Sequence, residues 1–363
     1  ERHFDRVVRA VDYIQTLRAP RQTDEYRLGD GLMRAKFNLV TESISHEGYS
    51  AKPMHSYWDG FFVLKGFGDA ARIATILGRE EQAQRFGALE REYRAAMLES
   101  IDLATRFHNI DYIPGCVELG DFDATSTTVA LWPCGETFAL PRQLLLNTFD
   151  RFVTFFRGRV DGSRAYLEYT PYEWRLVQAM LRLHPLDPAR EGGEGWRRRA
   201  MEFARFYMND RRPHEWNQWG EIVWKDPANP RFIGDMPHTW VGSDFLNAAR
   251  AMFVLERDDG YGLAIGLGID GSWFAGPDAG AVRIDGFPTE RGTISYTAGI
   301  EADGAFALRF ELDRDAPPAG IDVYPPVGWK AAGASVDGHA ASIAPDGSVR
   351  VSARSAVVRF APR

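Results

Sequence analysis

The 363-residue sequence predicts a mainly α chain with a C-terminal β part: a toroid of αα-hairpins followed by an antiparallel β-sandwich. Three observations predict it. Residues 1–257 follow helical periodicity, with apolar and amphipathic segments alternating along the chain. Further on, Phe306, Leu308, Phe310 and Leu312 alternate with other residues, the period-two signature of a half-buried strand. Between the two regions, Arg257-Asp258-Asp259-Gly260 reads as a charged turn. The expected domains are therefore 1–257, the helical toroid, and 258–363, the sandwich.

A helix is expected over 3–18. The stretch 58–77 is apolar nearly all round, which predicts a buried helix. The next, 79–103, sets Phe86, Leu89, Tyr93, Ala96 and Met97 against Glu and Arg, an outer amphipathic helix. Residues 124–133 are small and apolar, and 141–158 carry Leu144 to Leu146, Phe149, Phe152, Phe155 and Phe156. Residues 171–184 are apolar-rich, 190–209 amphipathic with three arginines, and 238–256 apolar again. Alternation of inner and outer helices is what a toroid of hairpins needs, each inner helix lining the hole. No repeat of fixed period accompanies it, which disfavours a helical solenoid. In the β part, 263–269, 293–300, 320–324 and 356–360 are short strand-like runs separated by Gly, Pro and Asp, the spacing of a sandwich.

Composition narrows the function classes. Apolar residues make up 45% and charged residues 26%, a globular balance. No apolar run approaches the length of a membrane span. Net charge is −7, and basic residues are scattered apart from Arg197-Arg198-Arg199 and Arg211-Arg212, assigned to an outer helix. Neither nucleic acid nor membrane is an expected partner. The opening Glu1-Arg2-His3-Phe4-Asp5 is polar and helical in pattern, so no leader is expected there. Cys116 and Cys134 show no metal spacing; a disulfide between them is open, with two buried thiols favoured. Asp121 and Asp123 with Glu118 match no calcium loop, and the eight histidines form no helical zinc pair, so no metal or cofactor is expected.

The unusual residues cluster in the loops that enter inner helices. The first holds Ser45-His46-Glu47-Gly48-Tyr49 and His55-Ser56-Tyr57-Trp58-Asp59, the second Glu118, Asp121 and Asp123. The third holds Tyr169-Thr170-Pro171-Tyr172-Glu173-Trp174. The fourth holds His214-Glu215-Trp216-Asn217-Gln218-Trp219-Gly220-Glu221, then Asp235, His238, Thr239 and Trp240. Any one acid here has an ordinary explanation, since Asp123, Thr170 or Asp235 could cap a helix. Four loops that repeat carboxylate, His and Trp ask for more. Sugars need that mixture: acids for proton transfer, polar groups for hydroxyls and flat rings for C–H faces.

On these residues the chain resembles the six-hairpin glycosidases, the (α/α)6 superfamily of glucoamylases, trehalases, processing α-glucosidases and α-L-rhamnosidases. A Trp-acid pair opening an inner helix, here Trp58-Asp59, and a Glu shortly before an aromatic segment, here Glu221 ahead of Thr239-Trp240, are similar to glucoamylase-type and trehalase-type sites. A sandwich after the last barrel helix is similar to the rhamnosidase arrangement. The resemblance implies twelve barrel helices where about eight are visible, so upstream segments would complete the ring.

It also implies a glycoside hydrolase that acts on an oligo- or polysaccharide with inversion, in a periplasmic or secreted setting. Asp59 would be the acid, with its pKa raised by Tyr57, Trp58, Phe61 and Phe62, and Glu221 the base that activates water. His55, Trp58, Asp121, Asp123, Glu173 and His238 would bind hydroxyls or flank them, with Trp216, Trp219 and Trp240 as ring platforms. Two alternatives compete. A polysaccharide lyase on a related toroid would use Tyr49, His46, His55 and Asn217, and a non-catalytic protein would only bind glycans.

Overall fold

The computed structural model describes residues 1–45, 48–190, 195–216, 218–229, 234–258, 260, 262–276 and 279–362. Two compact units divide it, Glu1–Arg157 and Gly158–Arg363.

The first unit is helical. It comprises α1 (Phe4–Arg18), α2 (Asp24–Arg27), α3 (Gly31–Ala35), α4 (Tyr57–Ile76), α5 (Glu80–His108), α6 (Ala124–Leu131) and most of α7 (Arg142–Asp161). The expected helices correspond to α1 and α4 to α7, while α2 and α3 are single turns too short to show a period. α4 buries Tyr57, Phe61, Leu64, Phe67, Ala70 and Ala74 along one stripe. Its other face departs from expectation, because Phe62, Ile73 and Ile76 are exposed. α5 answers with Phe86, Tyr93, Met97, Ile101 and Ala104. The two helices approach closely at Gly60, where an added Cβ would stand 2.5 Å from Met97 Sδ. Arg18 is fully buried beside them, bonded to Asn38 and to Glu92 at 2.9 Å and lying over the Tyr93 ring. Its desolvation is thus answered by hydrogen bonds and a ring face.

The second unit holds α8 (Trp174–Leu183), α9 (Gly195–Asn209) and α10 (Thr239–Phe253), with α8 packed on both others. Ahead of α8, strand β1 (Glu168–Tyr169) pairs antiparallel with β2 (Val223–Trp224), a ribbon too short to be read from sequence. Then come β3 (Val254–Glu256), β4 (Leu263–Ile265), β5 (Val282–Thr289), β6 (Gly292–Ile300), β7 (Phe306–Leu312), β8 (Ile321–Val323), β9 (Ala331–Val336), β10 (His339–Ala341), β11 (Val349–Val351) and β12 (Ser355–Pro362). They form a six-stranded sheet, β10-β9-β12-β7-β6-β5, and a four-stranded sheet, β11-β8-β4-β3. One buried cluster takes Phe306, Leu308, Phe310 and Phe360 from the first sheet and Leu263, Ile265, Ile321 and Val349 from the second. The large sheet is antiparallel, as expected. The small one is mixed, because β4 pairs parallel with β8.

The change from helix to strand falls at Phe253/Val254, inside the second unit. Its junction is fastened rather than loose. Buried Arg182 of α8 donates to the Glu256 carbonyl and pairs with Asp258, and Arg257 pairs with Asp322 at 2.8 Å. The arginine run of α9, assigned from sequence to an outer helix, departs from that reading at Arg197 and Arg199, which are buried. Arg197 is 1% exposed, donates to the carbonyls of Leu267 and Pro325, and stacks over Tyr324. A guanidinium on a long stem can bury its length while its fork satisfies free loop carbonyls, which charge counting does not reveal. Both cysteines are free thiols, with Cys116 fully buried. No helix among the described residues is long and apolar enough to cross a membrane.

Candidate active site

The expected site residues fall into two clusters, one in each unit. In the first unit, Asp59 opens α4 half-buried. Its carboxylate accepts from the Ser43 hydroxyl and, at 3.0 Å, from the Ser45 hydroxyl. Ser45 holds φ +55, the left-handed region that favours glycine, and its N–H donates to Ser43 Oγ at 2.8 Å. Strain of this kind persists where surrounding bonds hold it. Trp58 is buried and tilted against Phe62 at 5.5 Å.

His55 is fixed from both sides. Its Nδ1 lies 2.6 Å from Glu118 Oε1, and its Nε2 accepts from Arg21 Nε at 3.0 Å. Lys36 adds an ion pair to Glu118 at 3.2 Å. Burial pushes the Glu118 carboxyl up, but the bonds from the His55 ring and backbone, with Lys36, outweigh it and hold the pKa at about 2. A carboxylate depressed in the folded state stabilises fully above its unfolded value of 4.5, and that stability is lost as pH falls through about 2. The stability deficit of Glu118→Gln against the parent, from urea unfolding, is therefore expected to shrink between about pH 5 and about pH 3. An equal deficit at both ends would show that the charge contributes nothing.

Asp121 accepts from Tyr49 Oη at 3.0 Å and from the Cys116 N–H at 3.1 Å. Gly115 makes room for them, since a Cβ there would stand 2.7 Å from both the Asp121 and Tyr49 oxygens. Burial, then the Asp121 charge, pushes the Tyr49 phenol far up. Asp123 takes the ordinary role weighed for it: it caps α6, accepting from the Ser126 N–H at 2.9 Å and from the hydroxyls of Thr125 and Ser126.

In the second unit, two expected sugar contacts lie in the interior. Glu173 is 5% exposed, paired bidentately with Arg159 at 2.7 Å on each oxygen, and accepts from Tyr207 Oη at 2.9 Å. Trp219 is 1% exposed, donates to the Tyr207 carbonyl, and packs on Trp174 and Phe245. It corrects the platform reading, because a ring enclosed on its faces offers none to a sugar. Trp216, by contrast, is 60% exposed.

The remaining residues gather around Tyr172. Its hydroxyl bonds His238 Nε2, and its ring lies edge-on to Trp240 at 4.9 Å. Arg175 lies over both rings and donates to Asp244 at 2.7 Å. Burial, and next the Glu221 carboxylate, push the Tyr172 phenol up to about 12. Glu221 is half-buried and lies on Gly234, whose φ is +71; a Cβ there would stand 2.3 Å from Glu221 Cβ. Burial raises the Asp244 carboxyl despite Arg175. Sequence reading named Tyr172 within the third loop but gave it no role, and did not select Arg175 or Asp244. Arg175 is the second residue of α8 and Asp244 the sixth of α10, and the signal was their place near the same helix starts as Glu173 and Trp240.

His46, Glu47 and Asn217 lie outside the described residues. Among the described residues, no group of three or more His, Cys, Asp or Glu is placed to hold a metal ion.

No protein-family model matches this sequence, and neither does any curated protein sequence. Among solved structures, the chain is similar to an α-L-rhamnosidase from Dictyoglumus thermophilum, with TM-score 0.51 and 11% identity over 99% of this chain and 37% of that one. It is also similar to a native α-L-rhamnosidase from Aspergillus terreus, with TM-score 0.39 and 13% identity over 83% and 29% of the two chains. The chain thus spans roughly a third of the length of these proteins. The first likeness is one of fold.

Proposed function

We propose that the chain belongs to a glycoside hydrolase of the six-hairpin type. Its helices would form part of an (α/α)6-toroid, and its two sheets the layers of a C-terminal sandwich. The observation that carries the reading is the Tyr172 cluster. A half-exposed Trp240 stands beside His238, with Glu221 and Asp244 supplying carboxylates close enough to shift the Tyr172 phenol. Ring face, hydroxyl partners and acids in one place are the requirements of sugar recognition and proton transfer.

Glu221 is proposed as the base that activates water and Asp59 as the acid, each on its own chemistry. Asp244 is the competing donor, because burial favours its protonated form. The lyase reading has less support. Tyr49 donates to Asp121, and both ring nitrogens of His55 are engaged.

The test is a screen of aryl glycosides (α-L-rhamnoside, α- and β-glucoside, glucuronide), with the product anomer read by NMR. One of them is expected to be cleaved with inversion. Retention would remove the water-activating role of Glu221, an unsaturated product would turn the reading to a lyase, and binding without cleavage to a glycan-binding protein.

A further inference from the structure

The outer face of the six-stranded sheet carries a depression of about 490 Å³ that shares no residue with either polar cluster. β6, β7 and β12 turn Tyr296, Leu308 and Val358 into the core, so the residues between them face out. The hollow lies beside an irregularity in β5. Its pairing with β6 shifts between Ile284 and Phe287, and Gly286, at φ +58, donates its N–H to Ser295 Oγ at 2.8 Å. A bulge bends its strand and increases the twist, which lets an edge strand curl away from a flat sheet.

Strand register sorts the floor into two rows. Arg283 stands opposite Thr297, and Thr297 opposite Arg309, so two guanidinium groups flank one hydroxyl across three strands. The next row is Ser295, Glu311 and Ser355, with Asp285 beside it on the irregular stretch of β5. Among the described residues, Arg309 has no ion pair or hydrogen bond, and the hydroxyls of Thr297 and Ser355 have no partner. Glu311 has one distant partner, Arg354 at 3.8 Å, and Arg283 pairs with Asp285 on an exposed edge, where such pairs hold weakly. The arginine row asks for an oxyanion, and a carboxylate matches the guanidinium fork. The acidic row repels a second negative charge, which disfavours a polyphosphate or a run of acidic side chains. It accepts from hydroxyl donors instead. Rows two residues apart along a strand are separated by about 7 Å, the span of one sugar ring with its substituents.

We propose that this depression binds a single uronate residue of a glycan, its carboxylate on Arg309 and Thr297 and its ring hydroxyls on Glu311, Ser295 and Ser355. The choice of a sugar to carry the carboxylate rests on the hydrolase reading; the two rows do not. The probes are the methyl glycosides of galacturonate and glucuronate, titrated into the full chain with arginine Nε–H signals read by NMR. One of them is expected to bind saturably and to shift the Arg309 signal, identified by its loss in Arg309→Gln. Its methyl ester, of the same shape without the charge, is expected to bind roughly tenfold more weakly. Cyclohexanecarboxylate, with ring and charge but no hydroxyls, is expected to be weaker by a similar factor. Arg309→Gln is expected to bring acid and ester to equal affinity, and Thr297→Val to weaken the acid roughly threefold or more. Both positions face solvent, so the melting transition is expected to persist in each variant. Absence of saturable binding by both uronosides, equal binding of acid and ester, equal binding of cyclohexanecarboxylate, or an acid preference untouched by Arg309→Gln would overturn the proposal. Cleavage of aryl glycosides is measured separately: cleavage without uronate binding sinks this site alone, and uronate binding without cleavage sinks the hydrolase alone.

Discussion

Replacing Glu221 by Gln is expected to lower turnover of the cleaved glycoside by roughly 10²- to 10⁴-fold with little change in the melting transition. The amide keeps the shape of the side chain against Gly234 but cannot take a proton from water. A second signature reports on the charge of this residue, the largest carboxylate contribution at Tyr172. Because the Glu221 charge helps hold the Tyr172 phenol at about 12, its neutralisation is expected to lower that titration, read by ultraviolet difference spectra. Gly234→Ala approaches the same group from the backbone, since its methyl must displace Glu221 and strain φ +71. Both variants are expected to lose activity, and Asp59→Asn likewise. Full turnover in Glu221→Gln removes it as the base; full turnover in Asp59→Asn with loss in Asp244→Asn moves the acid to Asp244.

The largest effect on stability is expected at the Arg159–Glu173 pair. Both side chains are almost fully buried, with two bonds of 2.7 Å between them and a third from Tyr207. Removing one partner leaves a charge without water or counter-ion. Arg159→Ala or Glu173→Ala is therefore expected to cost about 3–5 kcal/mol in urea unfolding. Replacing both together with methionine is expected to recover much of that loss, because desolvation of the two ions disappears along with their attraction. A single variant as stable as the parent would mean that water reaches the pair in solution.

Much of the architecture was legible because it rests on periodicity. The α5 stripe from Phe86 to Ala104 and the alternation from Phe306 to Leu312 are patterns that burial imposes directly. The polar residues were less legible, because chemical type does not say which way a side chain turns. Trp216 and Trp219 stand three residues apart, yet one is exposed and the other enclosed. Glu173 read as a hydroxyl binder at a helix start, but its partner Arg159 comes from the preceding helix, a pairing that only tertiary structure makes. Arg197 was hidden in the same way, its acceptors lying in loops far along the chain.

The parallel pair β4·β8 has a consequence for how the second unit is made. No hairpin can join parallel neighbours, so the chain must lay down β5, β6 and β7 before β8 can return to β4. Loop closure over that distance is slow beside the local pairing of the β5–β6–β7 meander. The small sheet is therefore expected to be completed late, when β8 joins the local β3–β4 pair. Pulse-labelled hydrogen exchange would find β6 and β7 protected before β8, and equal rates would contradict this order. Since α10 runs into β3 without a break and β3 pairs locally with β4, the helix bearing Trp240 and Asp244 ends on a two-stranded ribbon whose neighbouring strand arrives only when β8 returns.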